Sequence, residues 1–257
     1  MFKKPLLIGL PRTGTTWVQQ YIRTAYSRYG ITLPGNSDDE WFAKHYKHDN
    51  IQTKIDLIET ARANNLEVCV KVLINDVRPI WPWFKEFYKN ADIIILKRRN
   101  LWKTYISWLF HRTIDSYVLE HFDKQLTPTT NQWKINNTLH PWHLITPTDE
   151  DVLKSTIQYY NVAFTFNDNI WKDFIAQVTF LEDEIKKHFT SAQVWWLEDL
   201  TDQFLEDRFK RKPKVIIKPF KRLNYEVYYS TKELQHIKDV FKEWFEENFI
   251  SYAGYEM

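Results

Sequence analysis

The stretch that most constrains the fold is residues 6–17, Leu-Leu-Ile-Gly-Leu-Pro-Arg-Thr-Gly-Thr-Thr-Trp. An apolar run of strand length ends at Gly9, a threonine-rich loop follows, and a helical pattern begins at Trp17. The chain has only five glycines, and two of them, Gly9 and Gly14, lie here, which indicates that the loop needs them for its backbone geometry. The sequence therefore predicts a strand, a tight loop and a helix N-terminus, an arrangement whose backbone N–H groups favour an anion.

The order of elements predicts an α/β fold. Apolar or β-rich runs at 5–10, 67–74 and 92–96 are typical of buried strands. Helical patterns at 15–29, 51–64 and 79–88 separate them, and this order favours a parallel sheet. We predict one domain over 1–257 with a P-loop-like three-layer α/β/α fold, a central parallel sheet of about 4–5 strands and helices on both faces.

The second half of the chain carries weaker patterns. An aromatic helix is expected from 101 to about 111, followed by an irregular stretch over 121–148 that is rich in Thr, Asn and Pro. Further helices are expected from 149 to about 171, or on to 188, and from 231 to about 249. Two similar segments, 177–183 and 193–199, could each be a strand or part of a helix; a helix is favoured for the first and a strand for the second.

Composition excludes some classes of function. The net charge of +2 gives no overall field that would attract nucleic acid, so a basic site must be local. The single cysteine, Cys69, cannot form a disulfide within the chain and is expected to be buried and inert. No signal-like segment and no apolar run of 18 residues is visible, so we expect a cytoplasmic protein with no membrane span and no nucleic-acid partner.

The glycine loop resembles a P-loop that lacks its metal machinery. The spacing from Gly9 to Gly14-Thr15-Thr16 nearly matches G-x-x-x-x-G-K-[ST], but Thr15 stands where the lysine belongs. A nucleotide hydrolase also needs an acidic Mg²⁺ ligand at a strand end, where this chain has Lys97-Arg98-Arg99. We therefore expect phosphate binding without a metal, with Arg12 supplying the fixed cation.

Two motifs together resemble the sulfotransferases that use 3′-phosphoadenosine 5′-phosphosulfate (PAPS). Residues 11–17, Pro-Arg-Thr-Gly-Thr-Thr-Trp, are similar to the family's 5′-phosphosulfate loop. Arg99-Asn100, with Ser107 eight residues after the arginine, is similar to its 3′-phosphate motif. Weaker matches are Leu197-Glu198-Asp199-Leu200, near the family's Y-E-D-[LM], and the late basic pair Lys221-Arg222.

The resemblance implies a role for each matched residue. PAPS would be the donor and 3′,5′-bisphosphoadenosine (PAP) the product, with no metal. Arg12 would stabilise the leaving phosphate oxygen, and Trp17 would stack on adenine unless it is a core residue. The remaining residues expected to bind the donor are Thr13, Gly14, Thr15 and Thr16 at the 5′ end, and Arg99, Ser107, Lys221 and Arg222 at the 3′-phosphate.

The general base is the part of the site that the resemblance leaves open. Cytosolic members carry a histidine in a K-[TS]-H motif, and the corresponding stretch here is Lys71-Val72-Leu73. Protein-tyrosine members use a glutamate in the loop after the first helix, so Glu40 is the favoured base and Asp39 the next. Lys71 is a candidate to orient the acceptor or the sulfuryl oxygens. The other candidate bases are the histidines His45, His48, His111, His140 and His143.

The expected acceptor is a hydroxyl or amine of a small molecule or a carbohydrate. Residues 111–148 would form a lid over the acceptor side, where Tyr117, Trp133 and Trp142 could stack on a ring. Two other functions remain as alternatives, a P-loop nucleotide phosphotransferase or kinase and a non-catalytic nucleotide-binding protein.

Overall fold

The structure is a computed structural model that describes residues 6–15, 17–19, 21, 51–64, 71–122, 132–135, 138–141, 157, 162–209, 224–248 and 254–257. The strands are β1 (Leu6–Gly9), β2 (Lys71–Leu73), β3 (Ile93–Lys97), β4 (Gln132–Ile135), β5 (Thr138–Pro141) and β6 (Gln193–Trp196). The helices are α1, which begins at Thr15, α2 (Ile51–Ala63), α3 (Ile74–Val77), α4 (Trp81–Phe87), α5 (Leu101–Phe122), α6 (Asp168–Phe180), α7 (Asp202–Phe209) and α8 (Thr231–Asn248).

Four of the strands form one parallel sheet in the order β2-β1-β3-β6. Strand β1 is central, and Gly9 at its carboxyl end pairs with Leu73 on one side and Leu96 on the other. The predicted α/β class and parallel sheet are confirmed, with four strands. Because all four strands run the same way, their carboxyl ends meet at one edge of the sheet.

The apolar runs of β1 and β3 supply two cores, one on each face of the sheet. Successive strand residues point to opposite faces, so Leu6 and Ile8 join one core and Leu7 joins the other. Residues of α2, α4, α5, α6 and α8 line the first core. Residues of α1 and α7 line the second, including Val18, Leu205 and Phe209. Helices on both faces are consistent with a three-layer α/β/α arrangement.

Several predicted boundaries in the first half are correct, and two are not. Helix α2 and strand β3 lie where the sequence places them. The helix expected at 79–88 instead begins as α3 directly after β2, passes through a 3-10 turn at Arg78–Ile80 and continues as α4. Pro79 lies in that 3-10 turn, where its missing N–H interrupts regular α-helix without ending the helical path.

The helix expected to end near His111 continues to Phe122 as α5, because no glycine or proline interrupts it before Pro128. The predicted lid over 111–148 therefore begins inside a helix. A hairpin of β4 and β5 lies in the stretch expected to be irregular, paired from Gln132 with Pro141 to Ile135 with Thr138. The connection between its strands is Asn136-Asn137 in the sequence, a composition that two-residue turns favour.

The helix expected from 149 through 171 is also wrong in its bounds. Residues 162–167 have no regular structure, and α6 begins at Asp168 because the side chain of Asn167 caps it by accepting from the Ile170 N–H at 3.0 Å. Helical turns then continue through His188, so 177–183 is helical as predicted. Strand β6 and the final helix α8 also confirm their predictions.

A buried ion pair joins the last residue of β3 to the helical turns after α6. The side chains of Lys97 and Glu182 are each 1% exposed and are bonded to one another. The hydroxyl of Tyr255 donates to the same carboxylate at 2.8 Å, and Lys186 lies 3.3 Å from it. Burial lowers the pKa of Lys97, and the negative charge of Glu182 opposes that shift.

We predict that Lys97→Met lowers the free energy of unfolding by about 3–5 kcal/mol, because it leaves the Glu182 carboxylate buried without its main partner. The double variant Lys97→Met/Glu182→Leu should lose much less, since no unpaired charge stays in the interior. Urea denaturation of both variants measures this. Equal losses in the single and double variants would contradict the prediction.

Candidate functional site

The strand order reverses between β1 and β3. From β1 the chain moves to β2 on one side, then crosses to β3 on the other side. In open α/β sheets, ligands bind outside the carboxyl ends of the strands at such a reversal point. The two predicted phosphate motifs follow β1 and β3, so the topology brings both to the same edge of the sheet.

Gly9 and Gly14 each occupy a position that a side chain would disturb. A Cβ on Gly9 would lie 2.9 Å from the carbonyl oxygen of Leu96 in β3. Gly14 has φ +83°, and a Cβ there would lie 2.5 Å from a methyl carbon of Leu197. The uneven use of glycine in the chain thus reflects the close approach of the loop to β3 and to the segment after β6.

The loop after β1 leads into the N-terminus of α1. The hydroxyl of Thr13 donates to the carbonyl of Leu10 at 2.7 Å, which closes the turn. The N–H of Val18 donates to the carbonyl of Gly14 at 3.2 Å, as in a first helical turn that begins at Thr15. The early N–H groups of this helix have no partners within the helix, so the position favours a negatively charged ligand.

Arg12 carries the loop's positive charge in an uncommon backbone conformation. Its φ is 70°, in the left-handed region, which costs a non-glycine residue about 1–2 kcal/mol. Its Nε donates to the hydroxyl of Ser107 at 3.1 Å, and its Nη2 donates to the hydroxyl of Tyr225 at 3.3 Å. Both partners are neutral, and within the described part of the chain no ion pair is found for Arg12.

Helix α5 supplies the side of the site that faces Arg12. Asn100 caps its start by accepting from the Lys103 N–H at 2.7 Å, which accounts for the asparagine in the Arg-Asn pair. Ser107 and His111 lie four residues apart and therefore on one face of the helix. Ser107 is buried, and Nε2 of His111 lies 3.3 Å from the hydroxyl of Tyr225.

Burial lowers the pKa of His111 well below its ordinary 6.5, and the positive charge of Arg12 adds to the shift. The imidazole is therefore neutral at pH 7. A neutral imidazole can accept a proton, whereas an imidazolium cannot, and the charge of Arg12 disfavours the imidazolium that results.

Tyr225 is fixed by the 3-10 turn Tyr225–Tyr228. The carboxylate of Glu226 in this turn accepts from Nε1 of Trp102 at 2.8 Å and lies 3.3 Å from Lys238 of α8. The turn is thereby tied to the start of α5 and to α8. These ties hold the Tyr225 hydroxyl between Arg12 and His111.

The basic run Lys97-Arg98-Arg99, which includes the last residue of β3, faces carboxylates. The sequence does not predict these contacts. Lys97 pairs with Glu182, and Arg98 lies 3.8 Å from Glu198. A positive strand edge, as the sequence suggests, is therefore largely neutralised in the folded chain. Glu198 belongs to the Leu197–Asp199 turn after β6, and parallel pairing of β6 with β3 places that turn beside the run.

Arg99 makes a two-point pair with Asp199. Its two terminal nitrogens donate to the two carboxylate oxygens of Asp199, both at 2.6 Å, and its guanidinium lies 5.3 Å from the ring centroid of Trp196. The hydrogen bonds to Asp199 raise the pKa of Arg99, and those same bonds lower the pKa of Asp199. An oxyanion ligand of Arg99 would compete with this carboxylate.

The last residues of the sequence hold the backbone around Arg99. The N–H of Glu256 donates to the carbonyl of Arg99 at 2.8 Å, and the N–H of Leu101 donates to the carbonyl of Glu256 at 3.0 Å. The side chain of Asn100 donates to the carbonyl of Met257 at 2.9 Å. No pattern in the sequence predicts this contact between residues 99–101 and 256–257, because backbone groups make most of it.

The predicted site residues divide into three groups. Arg12, Ser107 and the loop residues Thr13 to Thr15 lie together, with Arg99 at the end of the neighbouring strand. Trp17 is only 7% exposed and packs in the second core. Thr16, Asp39, Glu40, Cys69, Lys221 and Arg222 lie outside the described residues, as do His45, His48, Trp142 and His143.

The residues predicted to assist with the acceptor lie on several elements. Lys71 is buried at the start of β2, which pairs with β1. Tyr117 lies in α5, Trp133 in β4 and His140 in β5, so contact with an acceptor stays a prediction for each. His111 is the candidate histidine whose side chain the structure describes, and it lies 3.3 Å from the Tyr225 hydroxyl that accepts from Arg12.

Comparison with known proteins does not place the chain in a family. No protein-family model matches the sequence. A search of curated proteins likewise finds no match. The site is therefore interpreted from its own residues.

Across the ranges that the structure describes, no helix has the length and apolar character needed to cross a bilayer. Within those same ranges, no group of three or more His, Cys, Asp or Glu side chains is arranged to hold a metal ion.

We predict that Arg12→Gly is more stable than Arg12→Ala by about 0.5–1 kcal/mol, although both remove the guanidinium. Only alanine must bear the cost of a Cβ at φ 70°, and the greater freedom of glycine in the unfolded chain offsets part of the gain. Thermal or urea unfolding of the two variants measures the difference. An alanine variant that matches or exceeds the glycine variant would show that the backbone at this position is not left-handed.

Proposed function

We propose that the protein is a sulfotransferase. It would transfer the sulfuryl group of PAPS to a hydroxyl or amine of a small-molecule or carbohydrate acceptor and release PAP. The observation that carries the proposal is the hydrogen bond from Arg12 to Ser107. Arg12 belongs to the loop that resembles a 5′-phosphosulfate loop, and Ser107 to the motif that resembles a 3′-phosphate site.

The charge at the loop supports an anionic ligand. Arg12 is bonded to two hydroxyl groups, while each residue of the basic run after β3 faces a carboxylate. The N-terminus of α1 adds partial positive charge at the same place. The resulting site attracts a phosphate or phosphosulfate. We propose that the loop after β1 is the P-loop-like element of the fold.

In the proposed sulfuryl transfer, negative charge develops on the bridging oxygen between sulfur and phosphate. The acceptor oxygen forms a bond to sulfur, the bond from sulfur to the bridging oxygen breaks, and that electron pair stays on the phosphate of PAP. Arg12 would stabilise the growing negative charge on this oxygen, the kind of interaction that contributes most when its donor is already in place.

Arg99 would hold the 3′-phosphate by exchanging one oxyanion for another. Its fork of two N–H donors, which now binds the Asp199 carboxylate, also matches a phosphate. The backbone around Arg99 is held by Glu256, so the exchange requires movement of Asp199 rather than of the strand end. The parts assigned to Thr16, Trp17, Lys221 and Arg222 stay predictions, as does a cytoplasmic location.

Calorimetry with PAP, ADP and ATP tests which nucleotide the protein binds most tightly. We expect PAP to bind about tenfold or more tightly than ADP, because charged hydrogen bonds to the 3′-phosphate contribute about 1.5–3 kcal/mol. ATP should also bind more weakly than PAP. Equal or tighter binding of ATP would contradict the proposal and favour a phosphotransferase.

Two substitutions test the role of Arg99. Arg99→Ala should weaken PAP about tenfold or more and leave adenosine 5′-phosphosulfate, which lacks the 3′-phosphate, nearly unchanged. Asp199→Asn should strengthen PAP selectively, because the amide competes less well for the guanidinium. Calorimetry on both ligands measures the two effects.

Arg208→Ala is the matched control. Arg208 also pairs with an aspartate, Asp92 at 3.1 Å, but Asp92 precedes β3 and lies at the opposite edge of the sheet. This variant should leave PAP affinity unchanged. If Arg99→Ala weakens both nucleotides equally, Arg99 is a structural tie between β3 and the segment after β6.

A further inference from the structure

Three side chains form a chain of hydrogen bonds at the edge of the site. Nη2 of Arg12 donates to the hydroxyl of Tyr225 at 3.3 Å, and that hydroxyl lies 3.3 Å from Nε2 of His111. The ring of Phe110 packs on both, with its centroid 4.8 Å from Tyr225 and 5.5 Å from His111. One phenol therefore stands between the site's cation and a shielded imidazole.

A guanidinium can only donate, so the oxygen of Tyr225 is the acceptor for Arg12. The direction of the hydrogen bond between Tyr225 and His111 depends on the tautomer of the imidazole. In the tautomer with its proton on Nδ1, Nε2 accepts the hydroxyl proton of Tyr225 and is the atom that can take up a proton.

We infer that Tyr225 and His111 act as the proton-accepting pair of the transfer reaction, with His111 as the general base. The inference rests on the proposed sulfotransferase function. It assigns the base to a residue on α5, in place of the absent histidine near Lys71-Val72-Leu73 and of Glu40, which lies outside the described residues.

The proposed step conserves protons and electrons. As the acceptor oxygen bonds to sulfur, its proton passes to the oxygen of Tyr225, and the proton of Tyr225 passes to Nε2 of His111. The electron pair of the broken sulfur–oxygen bond stays on the phosphate of PAP, beside Arg12. Tyr225 ends the step as a neutral phenol, and His111 ends it as an imidazolium that later returns the proton to water.

The groups that face His111 determine its pH dependence. Arg12 faces it from the loop after β1, Tyr225 faces it from the 3-10 turn, and Ser107 lies one turn earlier on α5. Of these, Arg12 is the charged group that acts on the imidazole, and it favours the neutral form. A base must be neutral to act, so activity should be retained through pH 6.5 and lost only as the pH falls through the lowered pKa.

The test measures PAPS turnover with 4-nitrophenol, tyrosine methyl ester and methyl glucoside as acceptors. His111→Gln should lower kcat about 10²-fold or more, the usual scale of general-base catalysis, while PAP affinity changes less than about twofold. Tyr225→Phe should also lower kcat. His111→Gly should regain activity when imidazole is added, which a purely structural histidine would not show.

Two comparison variants make the outcome specific. His236→Gln alters a histidine of α8 that packs on Phe166, and it should leave turnover unchanged. Normal turnover in His111→Gln together with loss in Glu40→Gln would overturn the inference and leave the sulfotransferase proposal intact. Loss in His111→Gln without imidazole rescue of His111→Gly would also overturn it.

Failure of the underlying function gives a different result. Wild-type protein that binds PAP but sulfates no acceptor would overturn the assignment of a base and favour a non-catalytic nucleotide-binding protein. Wild-type protein that does not bind PAP would overturn both proposals at once.

Discussion

The site depends on the charge of Arg12, which the hydroxyl groups of Ser107 and Tyr225 hold at the carboxyl end of the central strand. Arg12 links three parts of the fold, because its partners lie on α5 and on the turn before α8. Its left-handed backbone and the close approach at Gly9 and Gly14 show that the loop is shaped around this arrangement. Strain at such positions persists only where surrounding structure enforces it.

The basic residues at the end of the neighbouring strand differ from Arg12 because they face carboxylates. Lys97, Arg98 and Arg99 form a run that looks more basic in the sequence than any other part of the first hundred residues. In the fold, Glu182, Glu198 and Asp199 each face one of them. Lys97 is bonded to Glu182 in the interior and Arg99 joins two strand ends, whereas among the described residues no ion pair is found for Arg12.

Much of the fold follows from the sequence because the signals are local. Continuous apolar runs and their spacing are sufficient to predict β1, β3, β6 and a parallel sheet. Helix ends were harder, since an Asn167 cap and a proline tolerated within a 3-10 turn depend on single residues. The β4–β5 hairpin was missed because its strands are short and lie in a segment rich in turn-forming residues.

The site residues that the sequence could predict are likewise those that lie in local motifs. Arg12 and Ser107 could be predicted because each lies in a motif, and the fold brings them within hydrogen-bonding distance. Asp199, Tyr225 and Glu256 could not be assigned their contacts, because their importance arises from partners at least about 100 positions away in the sequence. His111 had a weak signal, its position one helical turn after Ser107, which gains weight only from contact with Tyr225.

A crystal structure of the protein with PAP tests the central claim most directly. We expect the 5′-phosphate at the N–H groups of residues 13–16 with Arg12 in contact, and the 3′-phosphate on Arg99 with Asp199 displaced. The Tyr225 hydroxyl should stay between Arg12 and His111. A nucleotide bound away from the loop, or a 5′-phosphate beyond the reach of Arg12, would contradict the account.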